Sequence, residues 1–160
     1  MTALKNYRNT FIHQRNPMIG CIPASIEWLL KYHKIDIGAN WDNFQERVDG
    51  GKDSSFGAVP NKIEQVYGYS KDNFESQSFQ NAQDKCEKIK ELIDKNKGCL
   101  ISKPINSSYH ITPAVAYDEH NLTSLNLAEA KVMQEKKIPW SEIIQQHNQK
   151  SGGKDILWIK

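Results

Sequence analysis

The sequence contains few cysteines and no long apolar run. Its three cysteines, Cys21, Cys86 and Cys99, are an odd and sparse set without a CxxC pair or the spacing of a zinc finger. Neither a disulfide framework nor a structural metal is therefore predicted. No stretch approaches the roughly 20 apolar residues of a membrane helix, and residues 1–14 lack the apolar core of a secretory signal. We expect a protein of the cytoplasm, without a membrane partner.

An excess of charge of one sign is also missing. Lys and Arg number 21 against 19 Asp and Glu, so the net charge is only +2. This balance does not predict a nucleic-acid partner, and the lysines at 84–97 and 131–137 alternate with acidic residues as on a solvated helix face. A chain of 160 residues has the size of one ordinary domain and can bury a core. We therefore expect a single domain over residues 1–160.

Apolar periodicity divides the chain into a helical first part and a strand-rich second part. Helical spacing predicts helices at 22–33, within 40–51, at 59–68 and within 81–98. Short β-branched or apolar segments predict strands at 99–105, 110–117, 122–128 and 155–160, with a turn at 118–121. One more helix is expected within 138–149, with Ser141 as its candidate N-cap. Helices followed by strands indicate an α+β fold with an antiparallel sheet.

Cys21 stands at the predicted N-terminus of the first helix. The partial positive charge there favours the thiolate, which is the nucleophilic form of cysteine. Cys86 lies on the apolar stripe of a helix and Cys99 begins an apolar strand, so both are predicted to be buried small hydrophobes. Taken alone, Cys21 also fits a core position, and the choice depends on whether the chain offers it partners.

A cysteine nucleophile needs a histidine base, and His110 is the best candidate. His33 ends the helix that Cys21 begins and lies about 18 Å away along its axis, which excludes it. His120 in the turn and His147 at a polar helix end are predicted to be surface residues. His110 opens a strand after a loop-like stretch, where a side chain can face a helix N-terminus. Its alternative role is that of a strand-end histidine bonded to a loop.

Asn126 and Gln14 complete the candidate site. The amide oxygen of Asn126, in the strand that follows the one begun by His110, can accept the imidazole N–H. The two residues share a face of the hairpin only if the loop has an odd length or a strand contains a bulge. Asp118 lies in the turn, too far away for this task. The backbone N–H of Cys21 and the side chain of Gln14 are candidate donors to an oxyanion.

Taken in order, these stretches resemble the papain-like cysteine peptidase superfamily, and most closely its C39-type and C39-like members. The matching segments are Gln14, CIPAS at 21–25, HITPAVAYDE at 110–119 and SLN at 124–126. The helix predicted at 59–69 also resembles the one between the two halves of such domains. The resemblance implies a central helix that starts at the cysteine and packs with the other helices on the antiparallel sheet. It also implies a triad of Cys21, His110 and Asn126, assisted by Gln14.

The sequence departs from that family pattern at four positions. Gln14 lies seven residues before Cys21, one more than is usual, so one residue of the intervening segment must be looped out. Ile22 and Ala116 stand where the family has glycine. Pro113 interrupts a strand, which is therefore expected to be an edge strand or to bulge there.

The sequence thus leads to one functional hypothesis and two alternatives. The first is a thiol hydrolase that cleaves peptide or other amide bonds, including γ-glutamyl peptides, through an acyl-enzyme. The second is a catalytically inactive papain-fold binding or regulatory domain, and the third is an acyltransferase that uses the same Cys–His pair. No cofactor is predicted, because the side chains complete the chemistry. The oligomeric state stays open.

Overall fold

The computed structural model describes residues 1–15, 21–49, 56–105, 108–127, 134–147 and 154–160, without the side chains of 103–105 and 108–110. These residues form five α-helices and seven β-strands. The helices are α1 (Cys21–Tyr32), α2 (Trp41–Val48), α3 (Ala58–Tyr67), α4 (Ala82–Asp94) and α5 (Trp140–Gln145). The strands are β1 (Thr2–Ala3), β2 (Phe74–Gln77), β3 (Cys99–Ile105), β4 (Ser108–Tyr117), β5 (Asn121–Asn126), β6 (Gln134–Pro139) and β7 (Ile156–Ile159).

Local capping chemistry sets where several helices begin and end. The Asn40 side chain accepts the Asp42 N–H at 3.1 Å at the start of α2, and the Asn81 side chain accepts the Asp84 N–H at 2.9 Å at the start of α4. Asparagine is a favoured N-cap for this reason. Helix α3 ends at Gly68, whose φ of 76° is the left-handed conformation that glycine tolerates best. The helices predicted from periodicity are confirmed.

The strands form one antiparallel sheet in the order β2-β7-β3-β4-β5-β6, and β1 pairs with the end of β4. The α+β fold with helices first and an antiparallel sheet after them is therefore confirmed. Helix α1 packs against β4, β3 and α2, and its residues 22–30 are all buried. The start of α1 is thus held against the middle of the sheet.

Three strands were not predicted, because their sequences lack an apolar alternation. Strand β1 has two residues, β2 reads FESQ, and β6 reads QEKKIP with most residues exposed. Each pairs with a strand already in the sheet, so the main-chain hydrogen bonds of that neighbour determine its conformation. Pattern-based prediction detects burial rather than such pairing.

Two details of the prediction are wrong. Pro139, not Ser141, is the N-cap of α5, because the helix begins two residues earlier than an N-cap at Ser141 implies, at Trp140. Strand β4 is not an edge strand, since β3 and β5 flank it, and its bulge follows Ala114 rather than lying at Pro113. Within the described residues, no helix combines the length and apolarity needed to cross a membrane.

Candidate active site

Cys21, the first residue of α1, is held against the backbone of β4. The N–H of Ile111 donates to the Cys21 Sγ at 3.1 Å. One turn later in the helix, the Ser25 hydroxyl donates to the Ile111 carbonyl oxygen at 3.1 Å. Both polar groups of one β4 residue therefore bond to α1, and that residue directly follows His110.

The pKa of the Cys21 thiol is raised rather than lowered. Burial disfavours the thiolate and is the largest cause, while the N–H of Ile111 and the cysteine's own N–H favour the anion and oppose the shift. The N–H at the helix start thus favours the thiolate, as expected, but burial outweighs it. A cation beside Cys21 would favour the thiolate and oppose the effect of burial.

The other two cysteines are buried, as predicted. Cys86 is 3 % exposed and Cys99 is completely buried, and both are free thiols. Burial raises the pKa of Cys86 and raises that of Cys99 to about 12. Neither thiol is thus available as a nucleophile, whereas Cys21 is partly exposed.

A β-bulge sets the register between β4 and β5. Ala114 pairs directly with Ser124, but the next pair joins Ala116 to Thr123, so β4 contains one extra residue. Such a bulge changes which residues of the two strands share a face. A bulge or a loop of odd length was the condition, set by the sequence, for positions 110 and 126 to share a face of the sheet.

The register places positions 110 and 126 on one face of the sheet. Position 110 lies four residues before Ala114 in β4, and position 126 lies two residues after Ser124 in β5. Because alternate residues of a strand share a face, both belong to the face of the Ala114–Ser124 pair. The backbone of His110 pairs with Lys103, and the His110 side chain is outside the described part of the structure. Asn126 is half-buried.

Asp118 shapes the turn rather than the site. Its carboxylate accepts the N–H groups of His120 and Asn121, both at 2.8 Å, and these bonds hold its pKa below the ordinary value, that of Asn121 contributing most. The Asp118 N–H donates to the Asn121 carbonyl oxygen, so the loop proper contains two residues. An even loop would have left Asn126 on the wrong face, and the bulge alone provides the required register.

Gln14 is joined to the end of β5. Its backbone N–H donates to the Leu127 carbonyl oxygen at 2.7 Å, and Leu127 directly follows Asn126. The Gln14 side chain is half-buried. Residues 16–20, where one residue should be looped out before Cys21, lie outside the described residues.

Three of the other histidines lie outside this constellation. His33 lies at the other end of α1, as expected, and its Nε2 accepts the Gly98 N–H at 3.2 Å. His120 is exposed, as predicted. His147 is only 9 % exposed, so its prediction as a surface residue is wrong; the short α5 turns it inward.

Two residues near the site were missed by sequence reasoning. Glu27 and Gln45 are completely buried, and Gln45 bonds to Glu27 and to the backbone of His13. A carboxylate among the apolar residues of α1 was the available signal, because a buried charge requires partners. Among the described residues, no cluster of three or more histidine, cysteine, aspartate or glutamate side chains could hold a metal.

Comparisons with known proteins bear on the family and the fold. The model of the Peptidase_C39 like family matches residues 6–151. A crystal structure of a C39-like peptidase from Bacillus anthracis superposes with a TM-score of 0.64 at 14% identity, covering 100% of this chain and 98% of the other. A double glycine motif protease from an AMS/PCAT transporter, crystallised with its leader peptide, gives 0.55 at 17% identity, covering 100% and 99%. No curated protein matches the sequence.

Proposed function

Because this chain belongs to the Peptidase_C39 like family and is therefore a cysteine peptidase-like enzyme, we propose that it hydrolyses peptide or other amide bonds through a Cys21–His110–Asn126 triad. In this proposal Cys21 is the nucleophile, His110 the general base and acid, and Asn126 the group that orients the imidazole. Gln14 and the backbone N–H of Cys21 bind the oxyanion. Residues 1–160 form a single catalytic domain.

Two hydrogen bonds to neighbouring positions carry the proposal. The Cys21 Sγ accepts from Ile111, the residue after the proposed base. The Gln14 N–H donates to Leu127, the residue after the proposed orienting group. Cys21 and Gln14 are thereby joined to residues that directly follow positions 110 and 126, in or next to the adjacent strands β4 and β5. This arrangement supports a nucleophile, a base and an oxyanion donor at one place.

The proposed reaction has two stages. His110 takes the Cys21 proton, and the resulting imidazolium offsets the burial that raises the thiol pKa. The thiolate attacks the amide carbonyl, a carbon–sulfur bond forms, and the oxyanion is bound. As the carbon–nitrogen bond breaks, His110 gives its proton to the leaving amine. Water, deprotonated by His110, then attacks the thioester, and the acid and the thiol are released.

The substrate proposed is a peptide. The double glycine motif protease of similar fold is complexed with a leader peptide, which supports a peptide as the substrate. A cytoplasmic location is part of the proposal, and it is supported by three cysteines that are all free thiols.

The inactive-domain alternative also has one observation in its favour. Burial raises the pKa of Cys21 and so disfavours the nucleophilic thiolate, which a positive charge on His110 would favour. The alternative and the proposal therefore differ first in the reactivity of Cys21 below pH 8.

The deciding experiment is the pH dependence of Cys21 alkylation by iodoacetamide, comparing wild type with His110→Ala. The proposal expects alkylation well below pH 8 in the wild type, and its loss in the variant, with Cys86 and Cys99 as internal unreactive thiols. Cleavage of a peptide library by the wild type, absent in Cys21→Ser, then identifies the substrate. A Cys21 that reacts only at alkaline pH in both proteins contradicts the proposal and favours a binding domain.

A further inference from the structure

A fully buried carboxylate and a fully buried amide connect α1 to α2. Glu27 and Gln45 each have 0 % exposure, and the Gln45 Nε2 donates to the Glu27 Oε1 at 3.1 Å. The other carboxylate oxygen of Glu27 lies 3.0 Å from the Lys31 Nζ and 4.0 Å from the Arg15 guanidinium. A buried charge is costly unless it is paired and hydrogen-bonded, so this cluster needs an explanation.

The Gln45 amide extends the cluster to the segment that carries Gln14. Its Nε2 also donates to the His13 carbonyl oxygen at 2.9 Å, and its Oε1 accepts the Arg15 N–H at 3.0 Å. One side chain therefore bonds to the residue before Gln14 and to the residue after it. The Gln14 N–H is itself bonded to β5, so three consecutive residues are fixed by directional contacts.

Glu27 determines which way round the Gln45 amide lies. An ionised carboxylate only accepts hydrogen bonds, and so does the His13 carbonyl. The NH₂ group of Gln45 must therefore face both of them, and this orientation leaves its Oε1 for the Arg15 N–H. A reversed amide would set oxygen against oxygen twice and lose all three bonds. The buried charge thus has a directional effect on the segment 13–15.

We infer that Gln45, oriented by Glu27, is a positioning residue that sets the place of Gln14 in the oxyanion site. The inference rests on the proposed function and adds the means by which Gln14 reaches its place. It also accounts for the seven-residue separation of Gln14 from Cys21. Helix α2 bonds to the residues on either side of Gln14, and Leu127, the residue after β5, accepts the Gln14 N–H, so contacts outside the segment leading to Cys21 help to fix its place.

The test compares two reactions of Cys21 that differ in one respect. Acylation by p-nitrophenyl acetate passes through an oxyanion: the sulfur–carbon bond forms and p-nitrophenolate leaves. Alkylation by iodoacetamide forms the sulfur–carbon bond and expels iodide without an oxyanion. The ratio of the two rates therefore isolates the oxyanion site, and Cys21→Ser supplies the background rate.

Gln45→Met keeps the volume and removes all three hydrogen bonds. We expect the acylation-to-alkylation ratio to fall roughly ten- to a hundredfold, because a displacement of about 1 Å has effects of that size. Glu27→Gln combined with Gln45→Met replaces the buried carboxylate, which loses its amide donor in the single variant, by a neutral side chain; this double variant is the second one to test should the single one not fold, and its ratio should also be low. In a Gln14→Ala background, where the ratio has already fallen about a hundredfold, Gln45→Met adds nothing.

Lys85→Met is the matched control, because it breaks another buried polar contact, with Asp155, away from residues 13–15. It should leave the ratio unchanged. An unchanged ratio in the folded double variant, or equal effects of Gln45→Met with and without Gln14, overturns the inference alone. A ratio that Gln14→Ala does not alter, or a wild-type Cys21 without enhanced reactivity, overturns the proposed function and this inference with it.

Discussion

The two ends of helix α1 each carry a half-buried titratable side chain whose pKa is shifted by burial, but their hydrogen bonds have opposite consequences. At the first end, burial raises the pKa of Cys21, and the Ile111 N–H donates to its sulfur. At the other end, burial and the charge of Lys97 lower the pKa of His33. The Gly98 N–H donates to the His33 Nε2.

The difference lies in which protonation state each bond favours. A donor aimed at sulfur stabilises the thiolate, so the contact at Cys21 opposes the effect of burial. A donor aimed at the imidazole nitrogen requires that nitrogen to be unprotonated, so the contact at His33 and its burial act together. At Cys21 the hydrogen bond therefore favours the charged form that burial disfavours, whereas at His33 both favour the neutral imidazole. Similar burial does not imply similar function.

The largest expected effect comes from removing the proposed base at the first end. His110→Ala should lower the acylation rate of Cys21 by p-nitrophenyl acetate at pH 7 by roughly 10²–10⁴-fold, as is typical of a lost general base. His33→Ala, made at the other end of the helix, should leave that rate unchanged. Stopped-flow release of p-nitrophenolate measures both. Equal effects of the two substitutions would remove the functional distinction between the ends.

A second prediction concerns packing at the C-terminal end of α1, where Gly98 contacts His33. A Cβ at Gly98 would lie 3.1 Å from a methyl carbon of Leu29 and 3.2 Å from the Trp28 ring. Gly98→Val should therefore reduce the free energy of unfolding by about 1–3 kcal/mol through overpacking. Urea denaturation followed by Trp fluorescence measures the change. Combining it with Leu29→Ala makes room, so the two effects should not add; strict additivity would show that the close approach is not the cause.

A third prediction concerns the contact between α1 and β4. Ser25→Ala removes the buried bond to the Ile111 carbonyl oxygen and should cost about 0.5–1.5 kcal/mol of stability. Because this bond holds the helix start beside β4, alkylation of Cys21 should also slow. Ser25→Thr retains the hydroxyl and serves as the control. A loss of stability without any change in Cys21 reactivity would show that the hydrogen bond between Ser25 and Ile111 does not position Cys21.

The smallest expected effect is a pH dependence of the free energy of unfolding, caused by His33 at the C-terminal end of α1. The folded pKa of His33 lies below its unfolded value of 6.5, so the unfolded chain binds more protons between the two values. The contribution of His33 to stability is thus present above pH 6.5 and is lost as the pH falls through the folded pKa. His33→Gln should show a flatter stability profile between pH 7 and 5 in thermal unfolding. A parallel pair of profiles would contradict this assignment.

Some elements were predictable because their causes are local. Periodic apolar residues and asparagine caps locate α1 to α4, and β-branched runs locate β3, β4, β5 and β7. Strands β1, β2 and β6 were not predictable, because pairing with a neighbour rather than their own composition makes them extended. The burial of His147 was not predictable either, because tertiary packing rather than the local sequence decides it.

The sequence by itself determined the order of the elements, the buried state of Cys86 and Cys99, and the position of Cys21 at a helix start, because each depends on neighbours within a few turns of chain. Only the tertiary structure decided the rest. The bulge between β4 and β5 placed positions 110 and 126 on one face. Burial against the sheet raised the pKa of Cys21 instead of lowering it. The bond from Gln45 to the segment around Gln14 spans about thirty residues, and no local pattern records a contact between parts of the chain so far apart.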